Sequence, residues 1–301
     1  MFAAAAAMAA AAIYTGSPAK ADDQGTCKDQ SGDAAIAACT RAIASGRYGG
    51  EALAALHSNR CAEYINKGEN DRAVADCSAA LRFNPKLAIA FFNRGIAYKR
   101  KGDFDRAIAD YTQAIQLDPK YAAAYDDRGN VYRAKGNVDR AIADYTMAIQ
   151  LDGKNATAYN NRAIAFEAKK DYARAIADYT QLIVLGAKNA DAFNGRCYDR
   201  AIAGQLQPAL ADCNQALEIK PDDPEALDSR GFTYLKLKQY DSAIGDYDAA
   251  LKLNAELASS LYGRGFAKLK KDDRAGGDAD IAAAKAIQAN IAEEMAGFGV
   301  K

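Results

Sequence analysis

The chain has 301 residues, of which 50% are hydrophobic and 26% are charged, and its 39 basic residues balance its 39 acidic residues. A chain of this length is long enough for one large domain or two ordinary ones. The balanced charge, without a long run of one sign, argues against a nucleic-acid partner, because that partner would require a clustered basic surface.

The first 21 residues differ from the rest of the chain. An uncharged, alanine-rich stretch from Phe2 to Tyr14 precedes a Gly-Ser-Pro turn and an Ala-Lys-Ala triplet that ends at Ala21. This order predicts a secretory signal peptide over residues 1–21, although the usual basic residue before the apolar stretch is missing. The alternative is a cytosolic chain with an alanine-rich leader. Since no later stretch approaches the length of a membrane span, we expect none in the mature chain.

From residue 54 onward the sequence repeats with a period of 34 residues. The clearest unit reads AFFNRGIAYKRKGDFDRAIADYTQAIQLDP from Ala90 to Pro119, and the next reads AYDDRGNVYRAKGNVDRAIADYTMAIQLD from Ala124 to Asp152. Counted within a unit, small residues favour positions 8, 20 and 27, and aromatic residues favour positions 4, 11, 17 and 24. Seven units fit without a gap, at 54–87, 88–121, 122–155, 156–189, 190–223, 224–257 and 258–291.

These units resemble the tetratricopeptide-repeat (TPR) family, and the leader is typical of an exported bacterial member. The resemblance implies an all-α fold, a right-handed superhelical solenoid of stacked helix–turn–helix repeats over residues 54–291. Residues 22–53 are then an N-terminal half-repeat that caps the array, because the sequence from Asp33 to Ile43 mimics a second helix of the later units. The last second helix, from about Gly277 to Met295, is expected to close the array, and residues 292–301 to form the cap end and tail.

One pair of opposite charges recurs in every unit. Position 7, where the family often has Leu, is Arg throughout, and position 23 is Asp throughout. The two positions are nearly level across a hairpin whose turn centres near position 16, so we predict a structural ion-pair ladder within or between repeats. The alternative is a charged stripe that binds a ligand. The ladder begins with Arg60, Asp76, Arg94, Asp110, Arg128, Asp144, Arg162 and Asp178, and continues with Arg196, Asp212, Arg230, Asp246, Arg264 and Asp280.

Cysteines replace the same two positions in two different repeats. Cys61 and Cys197 are at position 8, and Cys77 and Cys213 are at position 24, which lies opposite position 8 across the hairpin. This pattern predicts structural disulfides, and disulfides persist in oxidising compartments, so we predict a periplasmic or secreted protein. The alternative is free, buried thiols. The predicted pairs are Cys27 with Cys39, Cys61 with Cys77, and Cys197 with Cys213.

The sequence lacks the residue patterns that catalysis requires. His57 is the only histidine, and it occupies position 4, where the family has a large packing residue. Neither a phosphate-binding glycine loop nor a cluster of metal-ligating residues is present. We therefore predict no catalytic residue, no metal, no cofactor and no enzymatic activity.

The TPR resemblance implies that first helices line a concave groove, mainly through positions 2, 5, 6, 9, 12 and 13. Position 9 is aromatic in three consecutive repeats, and asparagines lie on the earlier first helices, which would suit an extended or amphipathic peptide. The alternative for position 9 is packing against the next repeat. The predicted peptide-binding residues are Asn93, Arg133, Asn160, Asn161, Asn194, Tyr198, Phe232, Tyr262 and Phe266.

The function predicted from these residues is that of a non-catalytic scaffold or adaptor for protein–protein interaction, binding protein or peptide segments in its concave groove. The alternative is a structural component of a cell-envelope assembly that contacts its partners by its convex face or its ends. The two hypotheses differ in which face of the repeats touches the partner.

Overall fold

The computed structural model describes residues 23–186 and 189–300, so the predicted signal peptide lies outside the described residues. In these two ranges the chain forms seventeen helices and no strand. None of these helices has both the length and the apolar character that a membrane span requires. The helices are α1 (Asp23–Asp29), α2 (Gly32–Ala44), α3 (Gly50–Asn66), α4 (Asn70–Phe83), α5 (Ala88–Arg100), α6 (Phe104–Leu117), α7 (Ala122–Ala134), α8 (Val138–Leu151), α9 (Ala156–Ala168), α10 (Tyr172–Leu185), α11 (Ala190–Ile202), α12 (Leu206–Ile219), α13 (Pro224–Lys236), α14 (Tyr240–Leu253), α15 (Ala258–Lys270), α16 (Arg274–Ile287) and α17 (Ile291–Gly297).

The chain divides into two compact units, one ending at Val131 and the other beginning at Tyr132. In the first unit α1 packs on α2, α3 on α4 and α5 on α6, and each hairpin packs on the next. In the second unit the hairpins α9–α10, α11–α12, α13–α14 and α15–α16 stack in the same way, and α13 also packs directly on α11 and α15. Each unit is therefore a stack of helical hairpins, as the TPR pattern predicted.

The turns recur at the same repeat positions because the same residue types end one helix and begin the next. Gly102 and Gly136 have φ values of 76° and 77°, a left-handed conformation that costs glycine little. The next residue, Asp103 or Asn137, caps the second helix by accepting a hydrogen bond from the backbone N–H three residues later. The period of 34 residues thus fixes helix boundaries locally.

Glycine and tyrosine pack together inside the hairpins. Tyr111 and Tyr247 are fully buried, and a Cβ atom added to Gly95 or Gly231 would lie only 2.7 Å or 2.9 Å from the facing tyrosine ring. These residues occupy positions 8 and 24, the same two positions that carry cysteines in two other repeats. A disulfide therefore takes the place of the glycine–tyrosine contact in those repeats.

The C-terminal end departs from the predicted arrangement. Helix α16 ends at Ile287, Gln288 is extended with φ −136° and ψ 101°, and a separate helix, α17, begins at Ile291. The prediction of one second helix continuing to Met295 was therefore wrong. The physical reason is that Ile291 and Met295 are buried in the core of the second unit, and a straight continuation of α16 would not bring them there.

The N-terminal half-repeat is a complete small hairpin of α1 and α2. The guanidinium group of Arg41 on α2 donates to the carboxylate of Asp23 on α1, with an Nη2–Oδ1 distance of 2.6 Å. Helix α3 then begins at Gly50, four residues before the first unit predicted from the repeat.

Candidate functional site

The first helices of the last three repeats bring four predicted binding residues into one region of the second unit. Tyr198 lies on α11, Phe232 on α13, and Tyr262 and Phe266 lie on α15; all four belong to one apolar cluster. The rings of Tyr198 and Phe232 are 5.7 Å apart between centroids. We call these four residues the aromatic surface.

The C-terminal segment of the chain covers part of this surface. Phe298 lies 5.9 Å from the ring of Tyr198 and 6.4 Å from that of Phe232, edge-on to both. Lys236 on α13 donates from Nζ to the backbone oxygen of Phe298 at 3.0 Å. Phe232 is only 2% exposed. In this conformation Phe232 is a packing residue, the alternative considered for position 9, and it is not available to a partner.

Buried carboxyl groups without a basic partner lie beside the aromatic surface. Asp199 on α11 is fully buried, and neither of its carboxylate oxygens has a hydrogen-bond partner in the structure. Burial, with a contribution from the nearby Glu167, raises the pKa of Asp199 to about 8. Burial likewise raises the pKa of Asp228 to about 6, although Ser260 donates a hydrogen bond to it. Burial thus shifts both equilibria toward the protonated form, and no cation among the described residues pairs with either carboxylate to offset this shift.

An acidic cleft of about 500 Å³ lies next to the C-terminal segment. It is lined by Glu167 on α9, Tyr172 on α10, and Glu293, Glu294 and Phe298 of the C-terminal segment, among others. Burial raises the pKa of Glu167, whose carboxylate accepts a hydrogen bond from the Tyr179 hydroxyl at 2.8 Å. The described side chains of this region therefore offer more negative than positive charge.

The other predicted binding residues are polar and lie on α5, α7, α9 and α11. Asn93 on α5 is buried and belongs to the first unit, whereas the other predicted residues belong to the second unit. Arg133 is exposed at the end of α7, and Asn160 and Asn161 are half-buried on α9. Asn194 on α11 has a buried amide oxygen with no hydrogen-bond partner in the structure.

The repeated Arg and Asp residues form two-pronged ion pairs within single repeats. Arg162 donates from Nε and Nη2 to the two carboxylate oxygens of Asp178, at 2.8 Å and 2.7 Å. The remaining nitrogen, Nη1, donates to Thr146 at position 25 of the preceding repeat, at 3.0 Å. Each arginine therefore links the two helices of its own repeat and the repeat before it. The same two-pronged geometry joins Arg60 to Asp76, Arg94 to Asp110, Arg196 to Asp212, Arg230 to Asp246 and Arg264 to Asp280.

Three of these aspartates have a second partner that sequence reasoning missed. His57 lies 3.0 Å from Asp76, Arg200 donates to Asp212 at 2.6 Å, and Lys268 donates to Asp280 at 2.8 Å. The available signal for Arg200 and Lys268 was a basic residue at position 11, where other repeats have tyrosine or phenylalanine; His57 is at position 4. His57 also stacks on Phe83 with ring centroids 5.9 Å apart, so its contacts are structural.

The structure pairs all six cysteines as the sequence predicted. The Cα–Cα distances are 4.7 Å for Cys27 with Cys39, 5.4 Å for Cys61 with Cys77, and 5.4 Å for Cys197 with Cys213, and each sulfur pair is bonded. These separations lie within the usual range for disulfides. Within the described ranges, no group of His, Cys, Asp or Glu is arranged to hold a metal ion.

Family models identify the repeats. Models described as "Tetratricopeptide repeat" match residues 88–121, 110–143 and 224–257, and a model described as "TPR repeat" matches residues 129–170. No curated protein matches the chain at a significant level.

Several solved structures share the fold. A tetratricopeptide repeat protein from Parabacteroides merdae is 19% identical with a TM-score of 0.61, over 82% of this chain and 98% of that one. The MamA protein is 25% identical with a TM-score of 0.53, over 58% of this chain and 95% of that one. The protein pilF of Pseudomonas aeruginosa is 19% identical with a TM-score of 0.55, over 67% of this chain and 91% of that one. These structures share the fold, and the matched repeat models show that the chain belongs to the tetratricopeptide-repeat family.

Proposed function

We propose that this chain is a non-catalytic scaffold that binds a peptide or protein segment on the aromatic surface. The observation that carries the proposal is the C-terminal segment, which places Phe298 against Tyr198 and Phe232 and so occupies this surface as a short peptide would. Tyr262 and Phe266 remain half-exposed beside it. Aromatic side chains on adjacent first helices suit the apolar side of an amphipathic segment, since ring packing adds to the burial of apolar area.

The proposal includes export to the periplasm or to the outside of the cell. Its support is that all three cysteine pairs are at bonding distance and that no free cysteine is present in the described part of the chain. Paired cysteines persist where the surroundings are oxidising. Alkylation of the exported protein without reductant should leave all six cysteines unmodified; full alkylation would contradict the compartment.

Site-specific photo-crosslinking tests which face binds. A photo-reactive residue at Phe266, on the aromatic surface, should capture a reproducible partner in the exported fraction, and the same residue at Leu253 on the second helix α14 is the control. The double variant Tyr262→Asp with Phe266→Asp should lose that partner, whereas Leu253→Asp should keep it. Leu253 is 48% exposed, so its substitution leaves the core intact.

The reverse result would support the alternative function. A partner captured from Leu253 and retained by the Tyr262→Asp, Phe266→Asp variant would show binding through the second helices. The chain would then act as a structural component of an assembly, contacted by its outer face.

A further inference from the structure

The C-terminal segment is not simply one more helix of the stack. We call Gln288–Val300 the tail. Its helix α17 has 7 residues, whereas the first helices α11, α13 and α15 each have 13. An eighth repeat, beginning at residue 292, would stack on repeat seven alone. Phe298 instead contacts Tyr198 of repeat five and Phe232 of repeat six, so the tail crosses the first helices.

The tail contacts the repeats through a regular apolar pattern. Ile291, Met295 and Val300 are 1%, 4% and 3% exposed, and Phe298 packs against the same apolar cluster. The spacing Ile-x3-Met-x2-Phe-x-Val is that of an amphipathic helix with an extended end. A helix of seven residues is not stable by itself in water, so the contacts with the repeats order the tail. A separate segment with this spacing could make the same contacts.

The tail covers apolar side chains of the aromatic surface but brings no cation to the carboxyl groups beside it. Asp199 is fully buried without a hydrogen-bond partner, and Glu167 and Asp228 lie nearby with no basic side chain paired to them in the structure. The tail brings Glu294 to the same region, where Glu294 lines one cleft with Glu167 and another with Asp228. Like charges this close disfavour the ionised forms. A basic residue in place of Glu294 would instead attract these carboxylates.

We propose that the tail is a displaceable occupant of the aromatic surface, and that the partner is an amphipathic helical segment with apolar residues at the tail's spacing and a basic residue where the tail has Glu294. This inference rests on the proposed scaffold function and adds the chemistry of the ligand. The tail competes because attachment to the same chain gives it an effective concentration on the order of millimolar. A partner segment must exceed that competition, which the added charge pairing provides.

The first test uses a fluorescently labelled peptide of residues 288–301 and full-length protein, with binding measured by anisotropy. The variant Met295→Asp with Phe298→Asp cannot bury its own tail and should bind the peptide at least tenfold more tightly than the wild-type chain does. The matched control, Glu293→Gln with Gly297→Ser, changes two exposed tail residues and should bind as weakly as the wild type.

The second test addresses the charge. A peptide carrying Glu294→Lys should bind the released variant about tenfold more tightly than the unaltered peptide, and adding Asp228→Asn to the protein should remove most of that gain, because Asp228 lines the same cleft as Glu294. A peptide carrying Glu293→Lys provides the control, because Glu293, unlike Glu294, does not line the cleft that contains Asp228, and it should give a smaller gain.

A folded released variant, judged by circular dichroism, that does not bind the peptide would overturn the proposal and make the tail a permanent cap. Should that variant unfold, amide hydrogen exchange on the wild-type chain decides. Tail amides are expected to exchange at least about a hundredfold faster than those of α13, since a displaceable segment opens without the core. Equal protection would also overturn the proposal. Crosslinking from Phe266 that still captures a partner would then leave the scaffold function intact.

Discussion

Removing Arg162 tests the Arg–Asp ladder in the repeat where its consequence is largest. Asp178 is 3% exposed, and among the described residues Arg162 is the only side chain paired with its carboxylate. The variant Arg162→Ala leaves this buried carboxylate without a cation and also removes the hydrogen bond to Thr146. Breaking one side of a buried ion pair costs about 3–5 kcal/mol, because the remaining charge has lost its compensation.

A second repeat supplies the matched comparison. Asp212 is 4% exposed and binds Arg196 in the same geometry, but Arg200 also donates to it at 2.6 Å. After Arg196→Ala, Asp212 keeps one cation, so we expect a loss of about 1.5–3 kcal/mol, the value typical of hydrogen bonds to a charged group. The double variant Arg162→Leu with Asp178→Leu should recover most of the stability lost in Arg162→Ala, since it buries no charge.

Urea unfolding followed by far-ultraviolet circular dichroism measures these differences. Because stacked repeats need not unfold in a single step, the midpoint of the first transition and amide exchange in α9 and α10 should be compared between variants. Equal losses for Arg162→Ala and Arg196→Ala, or a loss below about 1 kcal/mol for Arg162→Ala, would refute the view that these arginines neutralise buried carboxylates.

Three further predictions concern the packing and the buried acid. The pKa of Asp199 is raised to about 8 from its ordinary 3.8, so between these pH values the folded state keeps a proton that the unfolded state loses, and stability falls as the pH rises. Asp199→Asn should remove this part of the pH dependence of the melting temperature. The same pH dependence in the variant and the wild type would contradict the prediction. Gly231→Ala should lower the melting temperature because the added Cβ would lie 2.9 Å from the buried ring of Tyr247. Gly245→Ala has open space around it and should raise stability by about 0.5–1 kcal/mol. An unchanged melting temperature for Gly231→Ala would contradict this packing argument. Replacing the bonded pair by Cys61→Ser with Cys77→Ser should lower stability by about 2–4 kcal/mol, and equal unfolding midpoints for variant and wild type under non-reducing conditions would exclude a stabilising bridge.

Contacts within a helical hairpin could be predicted from the sequence. Positions 7 and 23, or 8 and 24, are equidistant from the turn, so local helix geometry alone brings Arg94 to Asp110 and Cys61 to Cys77. The second partners of the ladder were missed, because Arg200 and Lys268 occupy a position where the repeat usually has an aromatic side chain. Nothing in the periodicity shows whether such a substituted residue turns toward the ion pair or toward solvent.

The sequence by itself determined the repeat length and the pairs inside each hairpin, since both depend on residues fewer than about 34 positions apart and on regular backbone geometry. Only the tertiary structure decided where the tail lies. Lys236 donates a hydrogen bond to the backbone of Phe298, which is 62 positions away in the sequence. This contact, the burial of Phe232 and the unpaired carboxyl group of Asp199 all depend on the surface that the stacked helices present to a segment outside the repeat. A pattern that describes each repeat and its neighbour cannot contain that contact, because the tail does not belong to the pattern.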